Sequence, residues 1–286
     1  MATVELRRPP GLAALYARAV LGTPPVLRAR PRPAGLPDTA VALRGVPVDR
    51  AHLAAYDRVC GFRLTDALPA TYPHVLAFPL ALWLLSAPDF PFPAPGLVHV
   101  ANRSTLHRPV DAGERLDLAV RADGLRAHGR GRQFDVVATA TVGGAEVWRG
   151  VSTYLHREGA PGGGARDDAD RPAPPAAAGT WRVPAGVGTA YAAVSGDRNP
   201  IHTSRLGARA FGFRRPIAHG MWTTARCLAA LAGRLPDAHT VEVSFQAPVP
   251  LPATVAFAAW GDWDFALHDP RSGKPHLTGS VRPAGS

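Results

Sequence analysis

The sequence predicts an α+β chain in which one arrangement, a buried helix wrapped by antiparallel strands, occurs twice. Three observations carry this reading. A Gly/Pro/Ala-rich stretch, Arg157 to Gly179, divides the 286 residues into two parts. Short motifs recur on either side of it at nearly constant spacing. Each part reads as one apolar helix followed by alternating strand-like runs. The expected organisation is therefore residues 1–156, a linker at 157–179, and residues 180–286. The linker sequence REGAPGGGARDDADRPAPPAAAG has no apolar periodicity and so has no face to bury.

The elements follow in order. In the first part, Val75 to Leu85 is apolar throughout, as in a helix buried on all sides. Alternating runs follow at Leu116–Val120, Phe134–Val142 and Glu146–Leu155, the last two joined by the hairpin signal Gly143-Gly144. In the second part, a helix is expected from His219 to Arg234, stopping before Pro236. Strands are expected at Thr240–Phe245, Thr254–Trp260, Phe265–His268 and His276–Arg282, with a turn from Asp269 to Gly273 between the final pair.

The repeat is visible in paired motifs. AAYDRVCGF (Ala54–Phe62) matches TAYAAVSGD (Thr189–Asp197), pairing Tyr56 with Tyr191 and Gly61 with Gly196 at an offset of 135. Leu76–Pro79 then faces Ile217–Gly220 at an offset of 141, and Leu106–Val110 faces Phe245–Val249 at 139. Offsets within six residues of one another fit a duplication with small insertions.

Composition narrows the class. Hydrophobic residues make up 46% and charged residues 19%, enough apolar material for a core and incompatible with wholesale disorder. Two cysteines, Cys60 and Cys227, exclude a disulfide scaffold and a cysteine-based zinc module, and fit a reducing compartment. No apolar run reaches membrane-spanning length, and Arg18 interrupts the only stretch resembling a secretion signal, so the cytoplasm is expected. The net charge of +10 rests on 31 arginines and one lysine, Lys274. This balance points either to a GC-rich coding sequence or to an anionic partner. No groove-reading or base-stacking motif accompanies it, so nucleic acid is not indicated. Neither a dinucleotide fingerprint nor a phosphate loop is present, no serine-hydrolase elbow surrounds Ser195, and no cofactor is expected.

The informative segment is Ser195-Gly196-Asp197-Arg198-Asn199-Pro200-Ile201-His202. Asn199-Pro200 is turn chemistry. A carboxylate and an imidazole five residues apart across a turn can share one bound water. The carboxylate polarises the water, and the imidazole exchanges a proton near neutral pH. Pro216-Ile217-Ala218-His219-Gly220-Met221 opens the second helix, where the Gly220 N–H is available to a developing oxyanion. Taken singly, Asp197 and Asn199 read as turn and cap residues, and His202 as a surface or packed histidine. Asp197, His202 and His219 match no common zinc spacing, so no metal is expected.

The run YAAVSGDRNPIHTSRLGA, Tyr191 to Ala208, resembles the hydratase 2 signature of the MaoC-like dehydratases, the (R)-specific enoyl-CoA hydratases. Gly196, Asp197, Asn199, Pro200, Ile201, His202 and Ala208 meet its fixed positions. Close resemblance covers the second half. The first half is similar to the degenerate N-terminal half of two-hotdog members, including actinobacterial 3-hydroxyacyl-thioester dehydratases. The resemblance implies a double hotdog fold and a hydro-lyase acting on acyl-CoA or acyl carrier protein thioesters. It makes Asp197 and His202 the catalytic pair and Gly220 the oxyanion donor, with Ser195, Asn199, Pro200, Ile201 and His219 shaping the site. One position departs from the pattern: Leu228 stands where some small members carry a polar residue. A hotdog thioesterase and a non-catalytic thioester-binding subunit are the competing readings; an intact Asn-Pro-Ile-His run disfavours both.

By the repeat offsets, Asp197 faces Phe62, His202 faces Ala67 and Gly220 faces Pro79, which has no N–H. The first half is thus expected to be catalytically silent. It would act as the missing partner of a hotdog dimer and shape an acyl tunnel that enlarging Ala77 would narrow. One chain then forms a pseudo-dimer, and a homodimer of chains remains open.

Overall fold

A computed structural model describes residues 2–21, 33–158 and 175–285. Most of the expected linker lies outside these residues, and Arg157 and Gly179 at its ends belong to strands. The first half runs β1 (Ala2–Leu6), α1 (Leu12–Leu21), β2 (Thr39–Pro47), α2 (Arg50–Cys60), α3 (Tyr72–Leu85), β3 (Val98–Leu106), β4 (Arg115–His128), β5 (Gly131–Val142) and β6 (Ala145–Arg157). The second runs β7 (Gly179–Val183), α4 (Val187–Ser195), α5 (Pro200–Thr203), α6 (Arg205–Ala210), α7 (Gly220–Leu231), β8 (His239–Phe245), β9 (Ala253–Trp260), β10 (Asp264–His268) and β11 (Pro275–Pro283).

All the described strands form one sheet, in the order β1-β2-β4-β5-β6-β3-β8-β11-β10-β9-β7. Counted from the middle outward, β3-β6-β5-β4-β2 and β8-β11-β10-β9-β7 have the same connectivity. The duplication is therefore a property of the topology as well as of the motifs. The halves join where β3 pairs antiparallel with β8, from Ala101 opposite Ser244 to Leu106 opposite His239.

The expected helices and hairpins are present with shifted ends. The Val75 helix starts earlier, at Tyr72, and the His219 helix stops at Leu231. Gly143 and Gly144 both take left-handed conformations, φ 58° and 84°, as the tight β5–β6 hairpin requires. The Asp269 carboxylate accepts from the Arg271 and Ser272 amides in the β10–β11 turn. Four strands were not anticipated: β1, β2, β3 and β7. The reason is clearest in β3, where the buried positions Asn102 and Ser104 are polar and erase the apolar alternation.

The structure corrects two pairings of the repeat. Helices α2 and α4 end alike, at the left-handed glycines Gly61 and Gly196, so Asp197 does face Phe62. The central helices, aligned at their first residues, instead pair Gly220 with Tyr72, and Pro79 lies in the middle of α3. The Tyr72 amide is accepted by the Pro69 carbonyl at 2.8 Å, so this helix start is closed to a ligand. His202 has no counterpart, because α5 and α6 are an insertion in the second half. The isolated bridges place Ala67 (to Asp111) opposite Ile217 (to Pro250), and not opposite His202.

The core gathers around α3 in one half and α7 in the other. Trp148 on β6 is fully buried, and its indole N–H donates to the Ala70 carbonyl at 2.7 Å, anchoring the segment that leads into α3. Trp148→Ala should cost about 3–5 kcal/mol, through lost burial and a cavity. Urea unfolding monitored by circular dichroism would read this as a lower midpoint at unchanged slope.

Candidate functional site

The site is built on three local structures. Helix α4 ends at Gly196, whose amide caps Ala192 and whose φ of 75° turns the chain sharply. The turn presents Asp197. Its Oδ1 accepts from the Asn199 amide at 3.1 Å, while its own amide donates to Ser195 Oγ at 3.2 Å. Asn199 caps α5, accepting from the Ile201 amide, and Pro200 fills the first helical position, where no donor is needed. His202 follows one turn later. Gly188 in the first turn of α4 packs against it so closely that an added Cβ would lie 2.1 Å from the His202 carbonyl. The third structure is the start of α7. His219 caps it, and Gly220 is its first residue. The first amide accepted within the helix is that of Thr223, by His219, which leaves the Gly220 N–H ahead of the hydrogen-bonded ladder. The Phe245 ring covers Gly220, with its Cε1 2.9 Å from where a Cβ would stand.

All the sequence-predicted site residues come together here. Asp197, His202 and His219 offer ligand atoms within 4.8 Å of one another, and the two imidazoles stack with centroids 3.7 Å apart. His202 Nδ1 lies 2.7 Å from the Ile217 carbonyl, and His219 Nε2 lies 2.9 Å from the Asp197 carbonyl. A carbonyl accepts only, so both nitrogens carry the proton. His202 Nε2 is then an unprotonated acceptor, and Asp197 Oδ2 is the carboxylate oxygen not held by the Asn199 amide. These three residues would also be the donor set for a cation.

Electrostatics divide the roles. Burial lowers His202 below the usual histidine range, against the pull of Asp197 and the Ile217 carbonyl. Burial and the neighbouring His202 take His219 down to about 4, against Asp197. Burial pushes the Asp197 carboxyl up, but His219, His202 and the Asn199 amide outweigh it and hold the group below its ordinary value. At neutral pH the site therefore holds an ionised carboxylate beside neutral imidazoles. Asp197 keeps 30% of its side chain accessible, so it is not sealed in.

Sequence reasoning missed residues of the first half. Tyr16 on α1 reaches across: its hydroxyl donates to the Gly196 carbonyl at 3.0 Å and accepts from the Arg198 amide at 2.6 Å. It clamps both ends of the Asp197 turn. Phe78 on α3 lies 3.5 Å from a Cβ built on Gly196. Ala77, expected to face the tunnel, is 2% exposed within the core, so His74 and Phe78 form the accessible face of α3 here. No local motif marks these positions. Two surface grooves, of about 500 Å³ over the β3–β8 seam and about 670 Å³ beside β7, do not touch Asp197.

Comparison with known proteins follows the same lines. Residues 188–263 match the model of the MaoC like domain. The chain is 40% identical over 282 residues to 3-hydroxyacyl-thioester dehydratase X of Mycobacterium tuberculosis, covering 97% of this chain and 99% of that protein. A crystal structure of that protein, HtdX, superposes with a TM-score of 0.77, covering 85% of this chain and 99% of the other. A MaoC-like dehydratase from Phytophthora capsici shares the fold at 19% identity, with a TM-score of 0.68 over 86% of this chain and 95% of that one.

Proton titration followed by histidine NMR should find His219 near pH 4 and His202 below 6.5. Asp197→Asn should move both lower still, because the carboxylate favours their charged forms.

Proposed function

The chain belongs to the MaoC-like dehydratase family, and from that premise we propose that it adds water to trans-2-enoyl thioesters and removes it from (3R)-3-hydroxyacyl thioesters. The observation that carries this is the gathering of Asp197 and His202, with ligand atoms within 4.8 Å and His202 Nδ1 committed to the Ile217 carbonyl, beside the Gly220 amide at the start of α7. In hydration, the two groups hold one water. His202 takes a proton from the water as its oxygen bonds C3, and then returns that proton to C2 on the same face, so the imidazole ends neutral. The Gly220 N–H carries the charge that gathers on the thioester oxygen. Dehydration runs these steps backward. His219 and Asn199 position Asp197; Ser195, Pro200 and Ile201 fix the turn and the short helix that bear the pair. Tyr16 adds a clamp from the first half.

The first half has neither an Asp197 nor a His202 equivalent, and its helix start is closed by Pro69. We assign it the acyl tail, which would run past Phe78 along α3. The carrier is either CoA or an acyl carrier protein. Both are anionic, and both suit the exposed arginines around α5 and α6: Arg198, Arg205, Arg209, Arg214 and Arg215, with exposed Leu206 and Phe211 among them. Among the described helices none is long and apolar enough to cross a membrane. Two buried free thiols, Cys60 and Cys227, support a cytoplasmic setting. A single chain would suffice for activity, as a pseudo-dimer.

Hydration of crotonyl-CoA, followed by the loss of conjugated-thioester absorbance, tests the assignment. Asp197→Asn and His202→Ala should each lower kcat/KM by about 10²–10⁴-fold. Rates within a few-fold of wild type would overturn it. A thioesterase would release free thiol instead, and a binding subunit would leave the absorbance unchanged. Gly220→Ala should reduce kcat by about 10²–10³-fold, because its methyl meets Phe245 and displaces the amide.

A further inference from the structure

The inner face of the sheet is apolar around most of the core, but at the β3–β6 seam it is polar. A bulge between His99 and Ala101 shifts the register, so that His99, Asn102 and Ser104 of β3 stand opposite Tyr154, Ser152 and Gly150 of β6. Asn102, Ser104 and Ser152 are buried and satisfy one another: Ser104 Oγ donates to Asn102 Oδ1, and Asn102 Nδ2 donates to Ser152 Oγ. Ser152 sits beside the Tyr154 hydroxyl. His99 stacks on Tyr154 with centroids 4.9 Å apart, and His74 of α3 lies parallel to His99 at 6.3 Å. His99 Nε2 is buried without a partner, and its other nitrogen hydrogen-bonds to the Ala101 backbone.

This group adjoins the catalytic centre. His99 packs at 5.0 Å against Phe245, the ring that covers Gly220. His74 is one turn before Phe78, which packs on the Asp197 turn. The charge of Asp197 reaches His74, His99 and Tyr154 alike. Burial holds His74 at about 4 and His99 at about 3, so both are neutral and neither forms an ion pair.

An unpartnered buried acceptor is a cost that an apolar side chain would avoid. With its other nitrogen donating to Ala101, His99 Nε2 is a lone pair seeking a donor. Tyr154 has the complementary O–H, with Ser152 beside it as a further partner. One group satisfies both at once: an alcohol, which accepts from the tyrosine and donates to the imidazole. We infer that His99, Tyr154 and His74 form a hydroxyl-recognition site within the acyl pocket, so that the preferred substrate carries a second oxygen on its acyl tail, beyond the reacting carbons. The tail is the source of this group because the carrier must lead outward to the arginine-rich rim, whereas the unpartnered His99 Nε2 is buried beside Phe245, the ring over Gly220. This inference rests on the enoyl-thioester reading above.

The test compares trans-2-octenoyl-CoA with derivatives carrying a hydroxyl, or a keto oxygen, at successive tail carbons. One hydroxylated member should exceed the plain thioester in kcat/KM by about tenfold, the worth of a buried neutral hydrogen bond. Its keto analogue, which cannot donate to His99, should fall short of it. In Tyr154→Phe, a change too small to unfold the chain, and in His99→Leu, the hydroxyl-to-plain ratio should approach one. The inference is overturned if no hydroxylated member is preferred, or if the ratio survives in both variants. It also fails if both substrates decline in proportion, as they would if the cluster bound the pantetheine amides or only supported the fold. Activity on the plain thioester, lost in Asp197→Asn, keeps the hydratase reading separate: its absence would sink that reading, while its presence with no hydroxyl preference would sink only this one.

Discussion

The antiparallel pairing of β3 with β8 is the contact on which the rest of the molecule depends. It fuses two five-stranded units of identical connectivity into one sheet, with β1 added at an edge. It sets α2 against α4, where the repeat-related Tyr56 and Tyr191 pack with ring centroids 6.2 Å apart. The same pairing brings β3, with His99, alongside β8, which ends in Phe245 over the start of α7. First-half residues therefore reach the Asp197 turn of the second half. A hotdog dimer obtains this from two chains; here one chain supplies both copies, and the copies have diverged in what they contribute.

The division of labour is electrostatic as much as steric. A carboxylate and two imidazoles crowd together, with ligand atoms within 4.8 Å of one another, and burial disfavours the charged form of each. The conflict resolves with the imidazoles neutral and the carboxylate charged. Asp197 is held by a backbone amide and neighbouring rings, while His202 and His219 each spend one N–H on a carbonyl. Fixing those two protons fixes which nitrogen is left as a base. The first half reached a different end. Its helix start is closed by the Pro69 carbonyl, and it has no counterpart of the α5–α6 segment that carries His202.

Much of this was legible in the sequence because the relevant physics is local. Gly196, Asp197, Asn199 and Pro200 specify a helix end, a turn and a cap within a few residues, and such features survive any tertiary context. The duplication was legible for the same reason: Gly61 and Gly196 are matched helix ends. Less legible were strands whose inward residues are polar. Asn102 and Ser104 look like surface residues until β6 supplies Ser152. The central-helix alignment slipped because the additional α5–α6 segment moved the helix start further than offsets kept within six residues of one another could follow.

The sequence by itself determined the helix ends, the duplicated α+β plan and the chemical identity of the Asp197–His202 pair, since each depends on neighbours along the chain. Only the tertiary structure decided what surrounds that pair. Tyr16 meets the Asp197 turn across 180 residues. His99 faces inward because a bulge turns it. The His202 tautomer is chosen by a carbonyl 15 residues away. These are contacts made by sheet pairing and helix packing, and no local pattern encodes which distant groups the packing will bring together.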